Sequence, residues 1–188
     1  MIINEKGLVK AMKDAYKSGS GYKVVGYGAE DDVWISIMTG AWLVQIHMDN
    51  IPRKALGLIA EHAGRLPRPN EAYLVKKGEV QDEIFDMAMK PQLHFEDTMR
   101  ISKPKEVKRT PLLWKNRQVW QQDVTMKTVL VSPEFMRIVD QDGPMGLLVE
   151  DAIYFPGEVS RAYIMRIIPD EADKPMTEHL DAMQWVAM

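Results

Sequence analysis

Apolar residues first recur at helical spacing, with Leu8, Val9, Met12 and Tyr16 on one side of a turn that repeats every 3.6 residues. This predicts a helix over Glu5–Lys17, capped by Asn4 and stopped by Ser18-Gly19-Ser20-Gly21. At ~100° per residue Lys6, Lys10, Lys13 and Lys17 fall on one narrow stripe away from that apolar side. The pattern then becomes strand-like. Tyr22–Tyr27, Val33–Met38 and Ala41–Met48, with a Thr39-Gly40 turn, predict an antiparallel meander. Asn50 and Pro52 open a second helix with Leu56, Ile59, Ala60 and Ala63 on its apolar side, closed by Gly64 and Pro67. A strand is expected over Ala72–Lys76, whereas Val80–Met89 fits either a helix or a strand.

From Lys90 to Pro111 three prolines and many charges break the periodicity, which marks an internal boundary or a long loop within one compact unit of residues 1–188. Beyond it Leu112–Trp114 and Gln118–Gln121 flank a Lys115-Asn116-Arg117 turn, and Met126–Val131 reads as a strand. Ser132 and Pro133 start a short helix, Pro133–Gln141, with Gly143 beyond its end. Strands over Gly146–Phe155 and Ala162–Ile168 precede a last helix near Met176–Val186. The two halves mix strands and helices in a loosely similar way, with no exact repeat. The fold class is therefore α+β: antiparallel sheet or sheets, with three or four helices covering one face.

Composition narrows the chemistry. The 188 residues are 46% hydrophobic and 27% charged, close to the globular average. Absence of Cys removes disulfides, thiolate nucleophiles, Cys-ligated zinc and iron–sulfur clusters. The fourteen Met point to a soft core or to adaptable protein contacts. The start Met1-Ile2-Ile3-Asn4-Glu5-Lys6 has no apolar leader, and no window reaches the ~18 apolar residues of a membrane span, so a cytoplasmic protein without a membrane segment is expected. Charge is uneven: Arg100–Arg117 holds seven basic residues against one acidic, and Asp140 to the C-terminus three against ten. Either one face meets an anion, or these two segments pair with each other.

Nucleotide and hydrolase motifs are missing. Gly26-Tyr27-Gly28 lacks a third glycine and a following helix, and reads as a strand-end or bulge signal. Ser160 does not sit in a G-x-S-x-G elbow. The one tight group of ligand-type side chains is His94, Glu96 and Asp97, the basis of a metal-dependent enzyme as an alternative function. His47, His62 and His179 read as surface or satisfied core residues. If 79–86 were helical, Glu79, Asp82, Glu83 and Asp86 would make an acidic face.

The segment Met145–Pro169, with Met-Gly-Leu-Leu-Val-Glu-Asp-Ala followed by Arg161-Ala-Tyr-Ile-Met-Arg-Ile-Ile-Pro169, resembles the last two strands of bacterial sliding clamps, the β subunit of DNA polymerase III. Phage and prophage proteins are a looser resemblance, with no motif behind it. The clamp resemblance implies antiparallel strands whose helices face DNA, with the stripe Lys6, Lys10, Lys13 and Lys17 as the DNA-facing element. The expected function is a non-enzymatic, cofactor-free binding protein of DNA metabolism, with DNA and protein partners and self-association. A second candidate nucleic-acid element is Lys103, Lys105, Lys108, Arg109, Trp114, Lys115 and Arg117, where cations neutralise phosphates and an indole stacks on a base. Pairing of those cations with the acidic C-terminal third is the competing reading. A regulator or inhibitor that binds a host protein through Met- and Trp-rich contacts is the other alternative.

Overall fold

The computed structural model describes residues 2–29, 31–83, 103–140 and 145–183. Helix α1 (Glu5–Lys17) leads into strands β1 (Tyr22–Ala29), β2 (Asp32–Met38) and β3 (Trp42–His47). A 3-10 turn, Met48–Asn50, precedes α2 (Arg53–Ala63), β4 (Ala72–Lys76) and β5 (Glu79–Glu83). The chain resumes with β6 (Lys105–Trp114), β7 (Arg117–Gln122), β8 (Thr128–Val131) and α3 (Pro133–Met136). The last described elements are β9 (Met145–Val149), β10 (Ala152–Phe155), β11 (Ser160–Ile167) and α4 (Lys174–Asp181).

All strand pairings among the described residues are antiparallel, in the order β10-β9-β6-β7-β8-β11-β3-β2-β1-β4-β5. Because β10 also pairs with β11, strands β6 to β11 close a ring. The fold is α+β with a large antiparallel sheet, as the alternating pattern predicts.

A palindrome runs through the centre. Strands β9-β10-β11 and β1-β2-β3 flank one antiparallel pairing, β11 against β3, in which Ala162 faces Val44. Each triplet is preceded by a helix, α3 or α1. These two helices pack together, and the residues beside them exchange backbone bonds, Asn4 N–H to the Ile138 carbonyl (2.8 Å) and Asp140 N–H to that of Ile2 (2.7 Å).

Alternation along the strands sends Val24, Ile35, Ile37, Val44, Ile46 and Ile164 to one core, where Leu8 and Met12 of α1, Leu58 and Ile59 of α2 and Met136 of α3 meet them. Each such side chain contributes about 1.5–3 kcal/mol on burial. Helix α2 is turned one residue from the sequence expectation. Ala55, Leu58 and Ile59 are buried while Leu56 and Ala60 are exposed, because the sheet, not the local apolar count, selects the inward stripe.

Other boundaries also move. Strand β6 begins at Lys105, inside the segment read as a loop; β7 and β9 hydrogen-bond it on both edges, so pairing overrides its polar composition. Gly146–Phe155 is a hairpin, β9–β10, turned at Glu150, whose φ of 49° takes the left-handed conformation. Helix α3 stops at Met136, because Val139 is drawn into a bridge with Ile3. Glu79–Glu83 is a strand, so the acidic helical face does not form; Asp86 lies outside the described residues.

Pro111 cannot donate to the ladder, and the β6–β7 register shifts between Arg109 and Leu113. Gln118, buried opposite, repairs the gap: its Nε2 donates to the carbonyls of Thr110 (2.7 Å) and Leu112 (3.2 Å). Gln118→Leu leaves those carbonyls unpaired and is expected to cost about 1–3 kcal/mol in urea unfolding.

Candidate nucleic-acid interface

The lysine stripe is built by α1. Asn4 Oδ1 accepts from Gly7 N–H (3.0 Å), which fixes the start of the helix and hence the phase of every later residue. Leu8, Ala11 and Met12 go inward, and Lys6, Lys10, Lys13 and Lys17 all stand exposed. Lys10 bonds Asp14 at 2.5 Å. Lys6, Lys13 and Lys17 have no ion pair among the described residues. Eleven residues at 1.5 Å each separate Lys6 from Lys17 by about 16 Å.

Helix α2 lies beside α1, N-terminus by N-terminus. Glu5 Oε1 accepts from the backbone N–H of Lys54 (3.0 Å), and at the far end His62 stacks on Tyr16, with centroids 3.8 Å apart and planes 10° apart. The pairing brings exposed Arg53 and Lys54 to the Lys6 end, a contribution that sequence reasoning missed. On the two helices together six basic residues (Lys6, Lys10, Lys13, Lys17, Arg53, Lys54) stand against three acidic (Glu5, Asp14, Glu61).

His62 anchors this pairing, its Nδ1 2.9 Å from the Tyr22 hydroxyl. Burial pulls its pKa below 6.5, Glu61 opposing and Lys13 assisting, while burial pushes the Tyr22 hydroxyl up. A histidine kept neutral by folding contributes stability that is complete above its unfolded pKa and lost as pH falls through its lower folded value. The urea midpoint should therefore fall as pH drops below about 6.5, and less so in His62→Gln.

The second basic element is divided. Lys103, Lys105 and Arg109 are exposed, and Arg109 Nε donates to Gln118 Oε1 (3.1 Å). Lys108 pairs with Asp123 at 2.7 Å. Lys115 and Arg117 both reach Asp173, at 2.6 and 3.0 Å, and their cations lie 5.1 and 5.6 Å from the centre of the Trp114 ring. Hydrogen bonding from Lys115, then the charge of Lys115 and the Arg117 contact, hold the Asp173 carboxyl below its usual range against the opposing effect of burial. These two pairs are of the kind expected if the basic segment meets the acidic C-terminal third.

His94, Glu96 and Asp97 lie outside the described residues. Among the described residues no three His, Asp or Glu side chains are grouped to hold a metal ion, and no helix is long and apolar enough to cross a membrane. His47 contacts Asp32 (3.3 Å) and meets Trp34 edge-on, and His179 is exposed on α4. Gly26 sits in mid-strand under the Arg68 carbonyl and Gly28 has φ 112°, so the two glycines serve close backbone approach and a strand-end conformation. On the flank of α1 a groove of about 780 Å³ has a floor that includes Met38, Trp42, Leu74 and Phe135, with Lys10, Lys23 and Arg137 among its polar lining.

No protein-family model and no curated protein sequence matches the chain. Among solved structures it is similar to the DNA polymerase III β chain of Streptococcus pneumoniae (11% identity, TM-score 0.34, 94% of this chain and 67% of that one). It is also similar to the sliding clamp of Bartonella birtlesii (10%, 0.36, 94% and 67%) and to pol III β of Caulobacter crescentus (10%, 0.34, 90% and 66%). The chain thus spans about two thirds of the length of each. These are distant likenesses of arrangement, and no residue role passes from them to this chain.

Proposed function

We propose that this chain is a non-enzymatic binding protein of DNA metabolism that lays α1 and α2 on the phosphate backbone of DNA. The carrying observation is the stripe of exposed lysines, three of them without a carboxylate partner among the described residues, extended by Arg53 and Lys54. About 16 Å of duplex carries roughly ten phosphate charges, enough to engage the whole stripe. Lysines are compact point charges that neutralise phosphates without reading bases, so the binding is indifferent to sequence. In the clamp-like form of this reading, implied by Met145–Pro169, copies of the chain assemble with α1 and α2 toward the DNA.

Light scattering on the purified protein, alone and with a short duplex, tests both parts. Growth of the particle on adding duplex, reversed by nuclease, supports the reading. A particle that ignores duplex at low salt contradicts it. The second reading, a regulator that binds a host protein, is favoured by the apolar groove beside α1. It would give a stable protein complex that nuclease leaves intact.

A further inference from the structure

The cations at the β6–β7 turn converge on a carboxylate that comes from far along the chain. Lys115 and Asn116 take φ of 46° and 59°, the left-handed pair of a tight hairpin turn, which fixes Trp114, Lys115 and Arg117 together at one end of the ladder. Their partner, Asp173, begins a C-terminal arm, and its side chain is 3% exposed beneath Lys115 at 60% and Arg117 at 28%. Two cations on one carboxylate, against the face of an indole, form the constellation that holds a phosphate beside a stacked base.

Among the described residues the arm is fastened at few points. Leu180 is the buried residue of α4 and packs with Val119 and Leu130, against which Trp114 also rests. Asp181 Oδ1 accepts from Thr128 N–H (2.5 Å), and the Met183 carbonyl accepts from Gln121 Nε2 (2.6 Å). Lys174, Pro175, Met176, Glu178 and His179 face outward. Among the described residues one buried leucine, the two ion pairs of Asp173 and two further hydrogen bonds hold the arm, a largely polar attachment of the kind that opens locally before the rest of the fold.

We propose that Trp114, Lys115 and Arg117 form a second phosphate-binding site for nucleic acid, and that Asp173 fills it in place of a phosphate while the arm is docked. Release of the arm frees two cations and uncovers the indole, so nucleic acid and arm compete for one site. This rests on the reading of the chain as a DNA binder and adds a contact beyond the α1 stripe.

Asp173→Asn and, separately, Leu180→Ser loosen the arm, which cleavage after Glu178 by a glutamate-specific protease reports. With a labelled duplex, and with a single strand of the same length, each variant should bind about threefold or more tightly, and the salt slope should steepen by about one to two. Adding Lys115→Gln and Arg117→Gln should cancel the gain. Faster cleavage with no gain in affinity, or a gain that survives loss of the two cations, overturns the proposal. Joining Asp173→Asn to Lys6→Gln, Lys13→Gln and Lys17→Gln separates the two ideas. If the lysine changes do nothing but the arm variants still gain, the α1 reading alone falls; if the lysine changes weaken binding and the arm variants gain nothing, the second site alone falls. If neither wild type nor any variant binds, both fall.

Discussion

Gly7→Ala is expected to destabilise the protein by about 2 kcal/mol or more, against the usual gain from replacing a helical glycine by alanine. Gly7 lies in the first turn of α1, where the helix crosses the chain leaving α3. A methyl group there would overlap the Arg137 carbonyl and stand 2.9 Å from Ile138 N. Both neighbours are backbone, so no side chain can swing aside. The chain must move, and the bonds Asn4 N–H to Ile138 and Asp140 N–H to Ile2 run through the same crossing. Helix propensity returns at most about 1 kcal/mol, while overpacking costs about 1–3 kcal/mol and each lost backbone bond about 1 more. For a chain of this size the melting temperature should fall by about 4–8 °C. Gly57→Ala is the control. It is exposed on α2 with open space where a methyl group would stand, so there the propensity term stands alone and the variant should gain up to about 1 kcal/mol.

Neutralising Lys6, Lys13 and Lys17 together as Gln should leave the fold intact and weaken duplex binding several hundred-fold at ~0.1 M salt. Each neutralised phosphate contributes about 0.9 decade of affinity per decade of salt, so three lost contacts remove about 2.7 decades relative to 1 M. The three side chains are exposed and without ion pairs among the described residues, so stability should change by no more than about 0.5 kcal/mol. Lys10→Gln alone should matter less, because Asp14 already neutralises part of its charge. Fluorescence anisotropy beside a thermal melt reads both quantities on the same samples.

Much of the first half was legible because local signals there agree with the fold. Asn4, the helical spacing of Leu8 and Met12, and the Ser18–Gly21 stop set the bounds of α1, and Gly64, at φ 76°, ends α2 where its type predicts. The phase of α2 and the strand nature of Lys105–Pro111 were not legible, since partners distant in sequence decide both. The palindrome was hidden for another reason: its helices differ in length, thirteen residues in α1 and four in α3, so no repeat shows in the sequence. At the candidate site the stripe was visible, as a property of one helix. Arg53 and Lys54 reach it by helix packing, and the hold of Asp173 on Lys115 and Arg117 spans more than fifty residues. Charge counts suggested such pairing without naming the carboxylate.

The most direct test is the salt dependence of wild-type protein binding to an unrelated-sequence duplex, from ~50 to ~200 mM salt. Contacts from Lys6, Lys10, Lys13 and Lys17 on α1 with Arg53 and Lys54 on α2 require log affinity to fall linearly against log salt with a slope between about −3.6, for the lysines of α1 alone, and about −5.4, for all six, the same for any base sequence. Absence of binding at ~50 mM salt, or a slope near zero, would contradict the assignment of α1 and α2 to DNA.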